Sequence, residues 1–471
     1  MVFKLKRSFL LAFLFLSKCI IAQTDISVWL TNNDRSALFL QQPAALNFST
    51  GKANGTTIFV DDTKTFQQMD GFGFALTGGS AMHIIKMNAE ARSKLLHRLF
   101  DTTGDAIGVS YLRLSIGASD LNARVFSYDD VAGDTALAHF DLADDKTDVI
   151  PVMKEILSIN SNIKVLGSPW SPPAWMKNNN DTRGGRLKPE YYGVYARYLA
   201  KYIESMAQNG IIIDAITVQN EPLHPGNNPS LLMVAPDQAD FIKNYLGPLF
   251  RSKNLKTKII VYDHNADRPD YPISILDDAK AAQYIDGSGF HLYNGAIEAL
   301  TDVHNAHPDK NIYFTEQMVV QFNRGGDDTD DMSKINITWP VSSLIIGASR
   351  NWSKNVLLWN LAADTAFKPY TDRGGCPVCQ GAVTIDKDSV TYNLAYYTAA
   401  HASKFVRPGS ARIASNELES LKNVAFTTPG GGKVLIVANV GETEQSFHIQ
   451  YKNKTAATVL KPLSVATYTW K

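Results

Sequence analysis

The sequence lacks an excess of charge of either sign. It contains 46 lysine and arginine residues against 46 aspartate and glutamate residues, so its formal net charge at pH 7 is +0. Recognition of nucleic acid or of an anionic membrane surface depends on a concentrated positive field. The charge balance favours neither partner, and we expect the protein to act on a neutral molecule.

Cysteine is also scarce, with three residues in 471. Cys19 lies in the N-terminal leader, while Cys376 and Cys379 form a CxxC pair. Two cysteines cannot supply the four ligands of a structural zinc site, and in an exported protein such a pair is expected to form a local disulfide that closes a loop. Redox catalysis is the alternative, but no thioredoxin-like βαβ pattern surrounds the pair.

Motifs for metal or phosphate chemistry are absent from the sequence. It contains neither HExxH nor a P-loop, and Gly71-Phe72-Gly73 does not continue into GxGxxG. We therefore predict that the protein needs no metal and no cofactor.

Apolar runs long enough to cross a membrane are missing. The run over residues 9–16 follows Lys4, Lys6 and Arg7, and Ala22 offers a small residue for cleavage. This run is too short for a membrane-spanning helix, whereas the whole pattern is typical of a secretory signal. We predict that residues 1–22 are a signal peptide. The mature protein is then expected to be periplasmic, cell-surface or extracellular, without a stable membrane anchor.

The chain is long enough to form more than one domain. With 45% hydrophobic and 10% aromatic residues, it can bury a large core. Short strand-like runs separated by turn residues occupy residues 24–65 and again residues 400–471. Because the first group needs partners and the second has free edges, we predict one β-sandwich domain built from both ends of the chain.

The middle of the chain, residues 66–399, alternates apolar runs with segments of helical periodicity. A helix is clearest where Pro189 opens and Gly210 ends the pattern. Eight runs are typical of buried strands: 71–75, 111–115, 164–168, 215–220, 258–262, 287–291, 311–315 and 355–359. Eight such units predict an α/β fold, a (β/α)8 TIM barrel, in which catalytic groups lie at the C-terminal ends of the strands.

Two of these predicted strands lead into a glutamate. Glu221 follows the fourth strand, and Glu316 follows the seventh about 95 residues later. Hydrolysis of a glycosidic bond needs one carboxyl group to protonate the leaving oxygen and a second to attack or to activate water. An isolated glutamate is more often solvated or ion-paired, but two at equivalent strand ends indicate a catalytic pair. A separation of about 5 Å would give retention, and about 8 Å inversion.

Other residues near the strand ends suit the binding of a sugar. Asn220 offers an amide to a 2-hydroxyl group, and Trp170 and Trp175 offer indole faces to the C–H side of a pyranose, although core packing explains either indole equally well. Trp359 and Asn360 are candidates for the floor of the site.

Three further residues are candidates for support of the carboxylates. Tyr293 is expected to hold the nucleophilic carboxylate or to adjust its charge state, whereas His291 is also compatible with a purely structural role. Arg113 lies within the second strand, where a buried guanidinium is expected to orient the carboxylates.

In their order and spacing these motifs resemble glycoside hydrolase family 30, the glucosylceramidase-like group of retaining β-glycosidases. The motifs are Gly71-Phe72-Gly73, Ser168-Pro169-Trp170, Asn220-Glu221-Pro222, His291-Leu292-Tyr293, Thr315-Glu316 and Trp359-Asn360. The resemblance implies that Glu221 is the general acid/base and that Glu316 is the nucleophile. It also implies a barrel paired with a sandwich from both termini, and a β-linked glucoside, glycan or glycolipid as substrate.

Two segments depart from that family pattern. Glucosylceramidases of the family commonly carry Thr-Asp after the first strand, with the aspartate on the sugar hydroxyls, whereas this chain reads Thr77-Gly78-Gly79. The loop with Cys376 and Cys379 replaces a segment at the lipid-glycoside entrance of animal relatives. Two activities therefore stay open, a glucosylceramidase-like β-glucosidase and an endo-β-1,6-glucanase or other β-glycan hydrolase. A surface protein that only binds carbohydrate is disfavoured, because binding alone does not need both glutamates.

Overall fold

The computed structural model of the protein describes residues 25–321 and 333–471. The predicted signal peptide lies outside the described residues. Within these ranges, no helix combines the length and the apolar character needed to cross a membrane.

A parallel barrel forms the centre of the structure. Its eight strands are β6 (Gly71–Ala75), β7 (Tyr111–Ile116), β8 (Lys164–Pro169), β9 (Ala215–Thr217), β10 (Lys258–Ala266), β11 (Ile285–Gly295), β12 (Asn311–Glu316) and β13 (Ser353–Leu358). They follow one another in chain order, and β13 closes the barrel by pairing with β6. The strands are apolar runs because the surrounding helices cover their outer faces and side chains from the other strands fill the barrel interior. The predicted TIM barrel is confirmed.

The strands outside the barrel come from both ends of the chain and from a small sheet after β13. The N-terminal strands are β1 (Asp25–Thr31), β2 (Leu40–Gln41), β3 (Leu46–Asn47), β4 (Ser49–Thr50) and β5 (Thr57–Gln68). The small sheet contains β14 (Ala362–Ala363), β15 (Val383–Asp386) and β16 (Ser389–Tyr392). The C-terminal strands are β17 (Ala411–Ser415), β18 (Leu421–Thr427), β19 (Lys433–Asn439), β20 (Gln445–Tyr451), β21 (Lys454–Leu460) and β22 (Ser464–Trp470).

The two terminal groups of strands form one sheet. β1 pairs antiparallel with β22, and β5 lies between β17 and β20. One apolar core contains Ile26, Ile58, Leu435 and Tyr468, so strands from both ends of the chain enclose the same interior. The predicted sandwich from both termini is confirmed. The proposed boundaries at residues 65 and 400 remain a prediction; β5 continues to Gln68, and a helix crosses residue 400.

Helices surround the barrel and follow most of its strands. They are α1 (Gly78–Lys86), α2 (Ala89–Phe100), α3 (Val149–Ile159), α4 (Tyr192–Gln208), α5 (Ala235–Phe241), α6 (Gly247–Ser252), α7 (Asp270–Leu276), α8 (Ala279–Ala282), α9 (Ala299–Ala306), α10 (Thr338–Pro340), α11 (Ala348–Arg350) and α12 (Leu394–Ser403). Short 3-10 turns cover Ala143–Lys146, Ala174–Met176 and Pro189–Tyr191, and π-helical turns cover Ile242–Leu246 and Val341–Gly347.

Helix α12 connects the barrel to the sandwich. His401 on this helix is fully buried, and its ring nitrogens lie 2.9 Å from the Thr467 hydroxyl and 2.8 Å from the Thr31 hydroxyl. Burial lowers the pKa of His401 to about 3, so the ring is neutral at neutral pH. Because Thr31 and Thr467 lie on β1 and β22, this contact ties the helix to both termini of the chain.

Candidate active site

The candidate site lies at the C-terminal ends of the barrel strands, around a cavity of about 250 Å³. Both predicted catalytic glutamates line it. Glu316 ends β12, and Glu221 follows β9, which stops at Thr217 rather than at the predicted Asn220. After Thr217 the chain leaves the regular ladder but stays bound to both neighbouring strands: Asn220 N–H donates to the Pro169 carbonyl, and Glu221 N–H donates to the Asp263 carbonyl.

Arg113 is the fully buried centre of the polar network beneath the cavity. Its Nη1 donates to Glu316 Oε2 at 2.6 Å. Its Nη2 donates to Asn220 Oδ1 at 2.6 Å, to Asp263 Oδ2 at 2.9 Å and to Ser168 Oγ at 3.1 Å. The predicted role of Arg113 as an orienting guanidinium agrees with these contacts, since one rigid group holds residues from three other strands and from the segment after β9.

Asp263 and His291 form the second layer of this network. Asp263 Oδ2 accepts hydrogen bonds from Ser168 and Thr217, while Oδ1 accepts one from Thr315 and lies 3.0 Å from His291 Nε2. Although burial would raise the pKa of the Asp263 carboxyl, Arg113 and His291 hold it well below its usual range. Asp263 is therefore a fixed negative charge that orients His291.

His291 lies between the two glutamates. Its Nδ1 is 3.2 Å from Glu221 Oε1 and 3.8 Å from Glu316 Oε1, so the two carboxylate oxygens are no more than about 7 Å apart. Burial alone would lower the pKa of His291, but the charges of Glu316 and Asp263 and its hydrogen bonds to Asp263 and Glu221 raise it to about 9. At neutral pH the ring therefore carries a positive charge between carboxylates.

The carboxyl groups of the cavity have different environments. Burial, followed by the charge of Glu221, raises the pKa of Glu316. Burial also acts to raise the pKa of Glu221, but the hydrogen bond and the charge of His291 outweigh it and lower that pKa. For Asp120, burial and the charges of Glu316 and Glu221 outweigh the opposing charge of Arg113, so its pKa rises to about 8. Asp120 is therefore protonated at neutral pH.

The aromatic residues predicted to bind sugar separate into two groups. Trp170 and Trp359 line the cavity, and their ring centroids lie 5.5 Å apart. Tyr293 also lines the cavity, and its hydroxyl donates a hydrogen bond of 2.9 Å to Glu316 Oε1. Trp175 lies outside the cavity lining; its Nε1 donates to the Asp129 carbonyl and its ring packs against Tyr191. The sugar-binding prediction for Trp175 is thus not supported by its position.

The predicted polar residues also take different positions. Asn220 lines the cavity, but its Oδ1 accepts from Arg113. His291 is fully buried below the cavity lining, and its ring nitrogens lie 3.2 Å from Glu221 Oε1 and 3.0 Å from Asp263 Oδ1. A part in substrate binding therefore stays a prediction for this residue. Asn360 lies behind Trp359, where its Oδ1 accepts from the Ser80 hydroxyl, so it is not part of the lining.

Several cavity residues were not predicted from the sequence. They are Asp120, His224, Asn227, His264, Asn265 and Met318. Asp120 lies four residues after the end of β7, and this position near a strand end is the sequence feature that could have identified it. The Thr77-Gly78-Gly79 segment leaves no room for a side chain: Thr77 caps α1, and a Cβ on Gly78 would lie 2.0 Å from Asn122 Nδ2. The segment after β7 instead brings the carboxyl group of Asp120 into the cavity lining.

His264 could join Glu221 and His291 in holding a metal ion. Their ligand atoms lie within 4.8 Å of one another, and two histidines with a carboxylate are a donor set that suits transition metals. His264 is buried, which lowers its pKa to about 4, and its Nδ1 lies 3.8 Å from Glu221 Oε1. Without a metal, the same arrangement places a neutral imidazole beside the glutamate.

The described cysteines also reach this site. Cys376 and Cys379 are joined in a disulfide, and both residues line the cavity.

Comparison with known proteins identifies the family. The model of the glycosyl hydrolase family 30 TIM-barrel domain matches residues 69–406, and that of the family 30 β-sandwich domain matches residues 409–468. The chain belongs to glycosyl hydrolase family 30. It is therefore a glycoside hydrolase, as the sequence motifs predicted, and the binding-only alternative is not supported.

Relatives within family 30 include two kinds of enzyme. An endo-1,6-β-D-glucanase of Trichoderma harzianum is 32% identical over 416 residues, which cover 83% of this chain and 81% of the relative. The lysosomal acid glucosylceramidase of Mus musculus is 28% identical over 447 residues, 88% of this chain and 84% of the relative. A solved endo-β1,6-glucanase superposes with a TM-score of 0.87 at 34% identity, covering 95% of this chain and 99% of that one.

Proposed function

We propose that this family 30 member is a retaining β-glycosidase that cleaves β-glucosidic bonds by double displacement. Glu316 attacks the anomeric carbon while protonated Glu221 gives its proton to the leaving oxygen, so that a glycosyl ester of Glu316 forms and the aglycone departs. Ionised Glu221 then takes a proton from water, and the water oxygen attacks the anomeric carbon. This second step releases the sugar and regenerates the Glu316 carboxylate.

The observation that carries the proposal is that both glutamates face one cavity within 3.8 Å of the same His291 nitrogen. The resulting upper limit of about 7 Å between their oxygens favours the short separation of retaining enzymes over the wide separation of inverting ones.

The hydrogen bonds support different roles for the two glutamates. Arg113 and Tyr293 donate to the two oxygens of Glu316 at 2.6 Å and 2.9 Å, which fixes the direction of that carboxylate as a nucleophile requires. Glu221 accepts from His291 at 3.2 Å and from Asn227 at 3.4 Å. These longer contacts leave Glu221 freer to exchange a proton with the substrate.

The proton that Glu221 donates in the first step is shared with His291. In the ligand-free protein the pKa of Glu221 is lowered and that of Glu316 is raised, the reverse of what the first step needs. The proposal therefore requires the proton between His291 Nδ1 and Glu221 Oε1 to lie on Glu221 when substrate is bound. Loss of the Glu316 charge on ester formation would then favour release of that proton, because the neighbouring negative charge has gone.

The substrate is proposed to be a β-linked glucoside, as in glucosylceramidases. An endo-β-1,6-glucanase is the second candidate, and the side of the cavity next to Glu221 favours it. His224, Asn227, His264 and Asn265 line that side. Imidazole and amide groups suit the hydroxyls of a leaving sugar better than the hydrocarbon chains of a ceramide.

The decisive experiment uses a 2-fluoro glucoside, which forms the ester with the nucleophile but turns over slowly. The wild-type protein should be labelled on Glu316, and Glu316→Gln should be neither labelled nor active. Labelling of another residue, or full activity of Glu316→Gln, would contradict the assignment. A product profile on β-1,6-glucan and glucosylceramide separates the two substrates.

Export of the protein is likewise a proposal and rests on the leader pattern of residues 1–22. N-terminal sequencing of the mature protein should begin at Gln23. A mature chain that retains Lys4 would contradict cleavage.

A further inference from the structure

The Cys376–Cys379 disulfide forms part of the cavity surface, not only of the loop that carries it. Cys376 and Cys379 line the same cavity as Glu221 and Glu316. Cys379 is 4% exposed and belongs to an apolar cluster with Trp170 and Trp359. The sulfur atoms therefore continue the apolar wall that the two indoles begin.

The loop around the disulfide, residues 370–381, is anchored to three other loops at the barrel mouth. Thr371 N–H donates to the Asp120 carbonyl at 2.9 Å. Asn228 Nδ2 donates to the Asp372 carbonyl at 3.0 Å. These contacts join the loop to the segments after β7 and β9, which carry Asp120 and Glu221. An ion pair between Arg373 and Asp181 at 3.1 Å adds the segment after β8.

Two glycines allow the loop to lie this close to its neighbours. A Cβ on Gly374 would lie 2.5 Å from the Gly226 carbonyl oxygen, and Gly374 has a φ of +148° that side chains rarely adopt. A Cβ on Gly375 would lie 2.3 Å from the Thr371 carbonyl and 3.0 Å from the Asp120 carbonyl. The backbone before Cys376 is thus fixed against Asp120, and the disulfide fixes the backbone after it.

We propose that the disulfide is a sugar-binding element: its sulfur atoms contact the substrate, and its closed ring positions the wall that includes Asp120. Sulfur is apolar and polarisable, and so it suits a C–H face of a sugar, as the neighbouring indoles do. Asp120 supplies a polar group for hydroxyls at the same wall. The inference rests on the proposed function, and it makes substrate binding depend on the oxidised state of the two cysteines.

The test compares the kinetic constants of the mature protein with and without the disulfide. The double variant Cys376→Ser/Cys379→Ser should raise the KM for an aryl β-glucoside about tenfold and change kcat less than about threefold, because binding is lost more than chemistry. Val378→Ala, at the exposed tip of the same loop, is the matched control and should leave both constants unchanged.

Reduction of the wild-type protein is the second arm. A phosphine converts the disulfide to two thiols, while its phosphorus is oxidised and takes an oxygen atom from water. Thiol titration should count two thiols, and KM should rise as in the double variant. The phosphine should not affect the double variant. If the double variant does not fold, reduction of the wild-type protein alone tests the proposal.

The readouts separate the possible outcomes. An unchanged KM after complete reduction would overturn the proposal, and a lower melting temperature without a change in KM would assign the disulfide to stability alone. If the wild type hydrolyses no glucoside, the proposed function fails. In that case an iminosugar measured by calorimetry still tests the site, because its affinity should fall about tenfold without the disulfide.

Discussion

The substitution of Arg113 by methionine tests the buried network most directly. Methionine keeps an apolar stem of similar length but removes a guanidinium that is 0% exposed and makes four hydrogen bonds. Asp263 and Glu316 then lose their permanent counter-charge inside the barrel. Removing one partner of a buried ion pair costs about 3–5 kcal/mol, because the remaining charge is left uncompensated. For a chain of this length we expect a fall in melting temperature of about 3–6 °C.

Arg124→Met is the matched control. Arg124 also pairs with an aspartate at 2.6 Å, but its side chain is 57% exposed. Such surface pairs contribute about 0–1 kcal/mol, so its melting temperature should fall by about 1 °C or less. Thermal and urea unfolding of the two variants measure the difference. Equal losses in both would refute the argument that burial makes the Arg113 charge necessary.

A second substitution checks that the uncompensated charge is the cause. Asp263→Asn in the Arg113→Met background removes that charge, while the donors Ser168, Thr217 and Thr315 remain. The double variant should therefore be about 1–2 kcal/mol more stable than Arg113→Met alone. The pH dependence has a defined sign. The folded-state pKa of Asp263 is depressed, so its stabilisation is present above about pH 4 and is lost as the pH falls below that value. The gap between the wild type and Arg113→Met should narrow accordingly.

Three further substitutions test the cavity and the barrel. Tyr293→Phe removes the donor to Glu316 Oε1 and should lower kcat about 10- to 100-fold with little change in KM, as steady-state kinetics would measure. Asp120 loses its proton beside two other carboxylates as the pH rises through about 8, so kcat/KM of the wild type should fall above that pH. In Asp120→Asn the fall should move to the pKa of His291, about 9. An unmoved pH profile would contradict the assignment of the fall to Asp120. Gly73→Ala would place a Cβ 1.9 Å from the Tyr111 carbonyl oxygen and should cost about 3 kcal/mol in denaturant unfolding. Gly430→Ala should cost less than about 1 kcal/mol, because no atom of the described residues lies within 4 Å of its added Cβ.

The barrel strands could be predicted from the sequence because burial on both faces leaves a continuous apolar run. All five residues of Gly71–Ala75 and all six of Tyr111–Ile116 are buried, and both segments were predicted nearly to their ends. The glutamates were found for the same reason. A charge directly after an apolar strand stands out, and the C-terminal edge of a parallel barrel brings such charges together.

The remaining site residues depend on loop paths that the sequence does not reveal. Trp170 and Trp175 lie in one short segment and differ little as sequence signals. In the structure, Trp170 is 2% exposed beside the cavity, whereas Trp175 points towards Asp129 and Tyr191. Asp120 was missed because it lies beyond its strand, separated from it by Gly117, Ala118 and Ser119. Only the return of the chain over the barrel mouth brings its carboxyl group to the glutamates.

Asp263 and His264 show how an irregular backbone builds the site. Side chains of adjacent strand residues normally point to opposite faces. However, the pairing of β10 with β11 shifts between Tyr262 and His264, which leaves Asp263 as an extra residue in a bulge. The bulge lets both side chains reach the network: Asp263 contacts His291 at 3.0 Å, and His264 lies 3.8 Å from Glu221.

The bulge and the segment that carries Glu221 are both held in backbone conformations that isolated residues avoid. Tyr262, Asp263 and Glu221 have φ values of +72°, +62° and +44°, in the left-handed region that costs about 1–2 kcal/mol for each L-residue. Glu221 N–H donates to the Asp263 carbonyl at 2.9 Å, so the strained segments support each other directly. The conformation is stable because the barrel core beneath it is closed and Arg113 holds Asp263 from below. The same contacts fix the distances from Glu221 to His264 and His291, so the geometry that the proposed acid/base role requires depends on the strain being maintained.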